Sequence, residues 1–170
     1  MMRRLRTFQH DSRGAAAAEM ALMLPLLMTL LFVTFEGGYF LWNEHKVVKG
    51  VRDGARYAGR LDFSIYDCTG GAIDDEDFEA NIKNLTRTGQ LTGGTPVIAG
   101  WQDDDIAIAV DCAAGQGGLY GANAGVAPRV TISAAVPYPS SPLSDLVGVL
   151  GFDTSSINLR ATAQSPVMGL

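Results

Sequence analysis

The chain has little of what catalysis and nucleic-acid binding usually draw on. Its 170 residues include two histidines and two cysteines. The histidines are His10 and His45, so nothing after Leu61 can supply a histidine-dependent triad or a histidine-ligated metal. Cys68 and Cys112 lack the close pairing of a zinc site. Lys and Arg number 13 against 18 Asp and Glu, which leaves no basic face to displace counterions from a nucleic acid. No glycine-rich phosphate loop follows a strand. The acidic runs Asp74-Asp75-Glu76-Asp77 and Asp103-Asp104-Asp105 lack the spacing of a calcium loop and read as solvated turns. "DFSIYD", from Asp62 to Asp67, begins like an Asp-x-Ser-x-Ser metal site, but Tyr66 stands where the second serine belongs. An enzyme is therefore not expected, nor a cofactor or a bound metal.

The chain does contain a long apolar run with a charged head. The first fourteen residues carry four arginines, Arg3, Arg4, Arg6 and Arg13, against Asp11 alone. The whole chain has a net charge of -5, so everything after Gly14 is strongly acidic. A short basic head before an apolar run suits the cytoplasmic side of a membrane. From Ala15 to Phe35 only Glu19, Pro25, Thr29 and Thr34 fall outside the apolar class. As a helix this run is about 31 Å long, close to the hydrocarbon thickness of a bilayer. Glu36-Gly37-Gly38-Tyr39-Phe40, which follows, is a poor signal-peptidase site, and no cysteine is placed for lipid attachment. The run reads as an anchor, uncleaved or trimmed at its N-terminus.

Helical spacing continues beyond the run. Leu41, Val48, Val51, Ala55 and Ala58 recur at three, four and seven, one helix face. One helix is expected from about Ala15 to about Gly59, with Pro25 and Gly37-Gly38 as points of weakness. A second amphipathic segment has Phe78, Ile82 and Leu85 on one face, with Asp74 or Asp75 as its cap and Gly89 at its end. Four runs then read as strands: 96–102, 106–112, 126–137 and 156–165. The last three alternate, with Ile106/Ile108/Val110, Val130/Ile132/Ala134 and Ile157/Leu159/Ala161 each on one side. The expected fold is α+β: a long N-terminal helix, membrane-spanning in its first half and amphipathic in its second, packed by a small antiparallel sheet.

Three sets of residues carry further meaning. If the arginines lie inside, Cys68 and Cys112 face an oxidising compartment, where they pair as a disulfide or remain as two buried thiols. Asp53 can pair with Arg56 at i, i+3, and with Arg52 the two form either a solvated helix face or a contact with the domain or a partner. Glu19 lies about 6 Å along the helix from Ala15, where an ionised carboxylate is costly. It either snorkels to the interface or meets a cation. If the chain were cut after Gly14, the new amine of Ala15, on the same or a neighbouring helix, would be that cation.

A basic leader ending in glycine, a small residue, a glutamate at the fifth position and an unbroken apolar helix resemble the class III signal of type IV pilins and pseudopilins. Here those residues are Arg13-Gly14, Ala15, Glu19 and Met20 to Phe35. "SRGAAAAEMALMLPLLM" and "VRDGARYAGR" are similar to the "RRGAAAVEFALVLPLLL" and "ARDGARYA" stretches of the TadE/TadG-like minor pseudopilins of the tight-adherence (Flp, type IVb/IVc) pilus system. Met20 replaces a common phenylalanine. The resemblance covers residues 13 to 60 strongly and "INLRATAQSPV" weakly.

It implies a pilin-like fold with a leader over 1–14, a transmembrane helix over 15–36, its amphipathic extension over 37–60 and a periplasmic domain over 61–170. A prepilin peptidase would cleave between Gly14 and Ala15. The mature protein would sit in the bacterial inner membrane by a single span, N-terminus cytoplasmic. There it would meet membrane lipid, the assembly platform and other pilus subunits and pseudopilins, and help build a pilus used in adherence. The sizeable domain marks the minor kind of subunit. The alternative is an unprocessed single-span envelope protein whose ectodomain binds a ligand or partner.

Overall fold

The computed structural model describes residues 12–123, 125–139, 141, 148, 151 and 157–169. The expected α+β class is the one observed. Among the described residues, helix α1 runs over Ser12–Ala58 and α2 over Glu76–Thr88, with five strands: β1 Tyr66–Asp67, β2 Ala72–Ile73, β3 Ile106–Ala113, β4 Ala127–Pro137 and β5 Asn158–Pro166. The chain divides between Tyr39 and Phe40 into two units.

In the first unit every residue from Gly14 to Leu31 is exposed. By length and composition the helix is able to cross a membrane. Its two threonines hide their hydroxyls in their own helix. Thr29 Oγ1 donates to the Pro25 carbonyl at 2.9 Å and Thr34 Oγ1 to that of Leu30 at 2.8 Å. This is how a hydroxyl is tolerated in hydrocarbon. The helix is unbroken through Pro25 and Gly37-Gly38.

In the second unit α1 buries Asn43, Val47, Gly50, Val51, Gly54, Ala55 and Ala58. This corrects the expected face. Val51, Ala55 and Ala58 belong to it, but Leu41 is 56% exposed and Val48 only half-buried. Val48 is rotated about 100° from Val47 on the helix, and the tight-packing side is the one that carries the glycines.

The main sheet has the order β3-β4-β5, antiparallel throughout. The register sets Ile108 opposite Ile132 and Ile132 opposite Ala163, and likewise Ile106 opposite Ala134 and Ala134 opposite Ala161. This inner face joins Val47, Val51 and Ile82 in one core. The alternate residues, among them Ala107, Ala135, Arg160 and Thr162, are exposed, as a sheet covered on one face requires. Ile157 precedes β5 and is 37% exposed, so it does not share the inner face with Leu159.

Residues 96–102 form no strand, contrary to expectation. Gly100 has φ +85°, outside the β region, and Ile98 and Trp101, three apart, are both buried, a spacing that strand alternation forbids. The segment is a loop that plugs the core with its two largest side chains.

Asp75, the cap of α2, accepts from the Asp77 and Phe78 amides at 2.9 and 3.2 Å. Gly89 ends the helix in the left-handed region at φ 77°. Between β1 and β2, Asp67 folds the turn over by accepting from the Thr69 and Gly70 amides, both at 2.7 Å. That turn brings Cys68 to β3, and Cys68 and Cys112 form a disulfide with Cα atoms 5.6 Å apart. A closed loop of this size stabilises by about 3–4 kcal/mol through the unfolded chain. A Cys68→Ser/Cys112→Ser double variant is expected to lose most of this, read as a lower thermal midpoint of the purified full chain. The native protein is expected to run faster on a non-reducing gel and to show no thiol to a blocking reagent.

Candidate functional site

The candidate residues fall on α1 and form two groups. Gly14, Ala15 and Glu19 lie in the exposed first unit. A side chain added at Gly14 would meet nothing within 4 Å, so no packing in the described chain accounts for the glycine. Ala15 and Glu19 are four residues apart and share a helix face.

The second group is the stretch 51–60, whose inward and outward residues do different work. Arg52 and Arg56 are exposed. Asp53 is half-buried and pairs with Lys49 at 2.9 Å, and with Arg56 only at 4.0 Å. These are contacts along the surface of one helix, worth about 0.3–0.5 kcal/mol each. Arg52 and Arg56 are thus not set against the chain's own domain. The close contact is made by residues that the charged pattern had obscured. A Cβ on Gly50 would fall on the backbone carbonyl oxygen of Thr86, with Trp101 Cη2 at 3.0 Å; one on Gly54 would fall on Thr86 Oγ1, with Ile132 Cδ1 at 3.3 Å. That hydroxyl is committed to the Ile82 carbonyl at 2.8 Å and the residue is 1% exposed. Two glycines four residues apart on a helix are the sequence signal for such an approach.

The end of α1 is also tied down. Its last carbonyls have no partner within the helix. The buried Tyr66 hydroxyl donates to the Ala58 carbonyl, and the Met168 amide donates to that of Gly59 at 2.8 Å. Burial pushes the Tyr66 phenol above its ordinary range, with Tyr57 adding to the effect. Arg87, in the last turn of α2, pairs with Asp103 at 3.0 Å.

The model of a family described as TadE-like protein matches residues 14–56. Over those residues the chain is similar to that family. The TadE-like segment begins at Gly14, includes Ala15 and Glu19, and reaches Gly50, Gly54 and the Lys49–Asp53–Arg56 surface; the sheet lies outside it. No curated protein and no solved structure matches the chain.

Two expectations concern the TadE-like segment and the helix end it leads into. Gly50→Ala should destabilise the full chain by about 1–3 kcal/mol, since a methyl has to move a backbone carbonyl. Gly37→Ala, which meets nothing within 4 Å, should cost nothing and gain up to about 1 kcal/mol in helix propensity. Thermal unfolding in detergent compares them. For Tyr66 the folded phenol holds its proton above pH ~10, where the unfolded phenol releases it. Stability from this group is present below pH 10 and lost as pH rises beyond it. Tyr66→Phe should flatten that alkaline loss, measured as unfolding midpoint against pH from 8 to ~11.

Proposed function

We propose that the protein is a minor pseudopilin of a Tad (Flp) pilus: an assembly subunit, not a catalyst. The observation that carries this is the TadE-like match over 14–56, lying on a helix whose first part is exposed and apolar and whose second part is built into a disulfide-closed domain. In this reading the arginine-rich leader stays in the cytoplasm and the helix crosses the inner membrane. The domain from Leu61 onward lies in the periplasm, where a disulfide persists.

Each residue then has one task. Gly14 is the residue a prepilin peptidase reads, because a side chain there would obstruct the cut before Ala15. The cut leaves an amine on Ala15, a charge that would sit at the edge of hydrocarbon. Glu19 supplies the opposite charge, from its own helix or a neighbour's, so that helices can come together without an unpaired ion between them. Arg52 and Arg56, exposed on α1, would meet the other pilus subunits or the assembly platform, with the half-buried Asp53 held between Lys49 and Arg56 behind them. The domain distinguishes this subunit from a bulk pilin that is little more than a helix.

N-terminal sequencing of the membrane-extracted protein is the decisive test, with Ala15 expected as the first residue and Gly14→Leu expected to keep the leader. Leader residues on the functional form would favour an unprocessed envelope protein with a binding ectodomain. Glu19→Ala is expected to be cleaved and inserted as usual but to accumulate outside fibres, losing a pairing worth a few kcal/mol. Electron microscopy of piliated cells and co-purification of pilus subunits check this. Normal fibres from a stably expressed Glu19→Ala protein would reduce Glu19 to an interface residue with no part in assembly.

A further inference from the structure

Trp42 is the largest apolar side chain that the second unit exposes. It is 65% accessible and its neighbour Leu41 is 56% accessible, whereas Trp101, the only other tryptophan, is 1% exposed in the core. Lys46 follows one turn later, and its ammonium lies over the Trp42 ring at 5.8 Å from the centroid. The same ammonium reaches the Asn43 side-chain oxygen at 3.5 Å. A large exposed indole carrying a fixed cation on its face is not explained by the core, which lies on the opposite side of α1.

We propose that Trp42 and Lys46 form a membrane-interface anchor, the indole seated in the lipid headgroup layer and the ammonium on lipid phosphate. The inference rests on the membrane-spanning reading of α1. Three observations carry it. Trp42 is continuous with the apolar run, which ends at Phe35, seven residues or about 10 Å of helix earlier. The headgroup layer is about 5–8 Å deep on each side of the hydrocarbon. On a helix every Cβ tilts toward the N-terminus, which is enough for a side chain as long as an indole to recover the few ångströms between the Trp42 Cα and that layer. The chemistry also fits. An indole has an apolar body and one N–H donor, which suits a region that is half hydrocarbon and half water. Lys46 is neutralised by no carboxylate at ion-pair distance among the described residues, unlike Lys49, which Asp53 holds. It remains available to a phosphate, and its cation–π contact keeps it at the ring's depth. A second copy of the chain is the competing occupant. It is disfavoured because Asp53, the carboxylate on the same helix face, is already held by Lys49 at 2.9 Å.

The test uses full-length protein in vesicles of phosphatidylcholine and phosphatidylglycerol carrying a spin label either on the headgroup or at mid-chain. Trp42→Phe supplies the Trp101 background. The headgroup label is expected to quench the Trp42 component about two-fold or more over the mid-chain label. Lys46→Glu is expected to lower that quenching by roughly half in the anionic vesicles. Flotation after carbonate washing reports insertion separately. If the protein floats but Trp42 is quenched by aqueous acrylamide and not by the headgroup label, the anchor is overturned while the span stands. Quenching that depends on the protein-to-lipid ratio assigns the face to a second copy and overturns it too. Unchanged quenching in Lys46→Glu removes the pair. Failure to float overturns the span and the anchor together.

Discussion

Between α1 and α2 there is room for a hydrogen atom and no more. Gly50 and Gly54 present bare backbone to Thr86, and this approach decides how the domain is built. It lets Val47 and Val51 reach the same core as Ile82, Ile132 and Trp101. Each such aliphatic side chain contributes about 1.5–3 kcal/mol on burial, several times the value of the exposed Lys49–Asp53 pair on the other side of the helix. Packing sets the rotation of α1 in the domain, and the charged residues occupy what remains.

One helix therefore meets different demands along its length, and its composition changes to match. In the apolar run the few hydroxyls turn back onto their own carbonyls, which leaves the run compatible with a surrounding that offers no other partner. In the domain the inward face narrows from Val47 and Val51 to Gly50, Gly54, Ala55 and Ala58 where neighbours come close, and Lys49, Arg52 and Arg56 lie outward. At its end the carbonyls are taken up by Tyr66 and by the chain after β5. The disulfide and the Asp67 turn hold the β1–β2 hairpin to β3, and so hold Tyr66 where it caps the helix.

The TadE-like match ends at residue 56, which is also where α1 has almost finished its work. The segment combines an exposed apolar run, long enough to cross a membrane, with the two glycines that attach the rest of the chain. A sheet of different sequence can follow such a segment provided that it offers one apolar face to it.

Much of this was open to reading in the sequence by itself. The apolar run with its basic head, the α2 segment with its acidic cap, and three alternating strands are local patterns, dictated by the periods of helix and strand and by where polar backbone must be capped. The resemblance carried by Gly14, Ala15 and Glu19 was also legible, because it lies in order and spacing, and the family match covers them. What only the tertiary structure decided depends on neighbours distant in sequence. The helix face shifted from Leu41 and Val48 to Val47, Gly50 and Gly54, since Thr86 must pass there. Residues 96–102 have strand-like composition, yet their side chains fill the core from a loop. Cys68 meets Cys112 because the Asp67 turn delivers it to β3. Periodicity says that a helix has a face; which side chains become that face is settled by the atoms that come to lie against it.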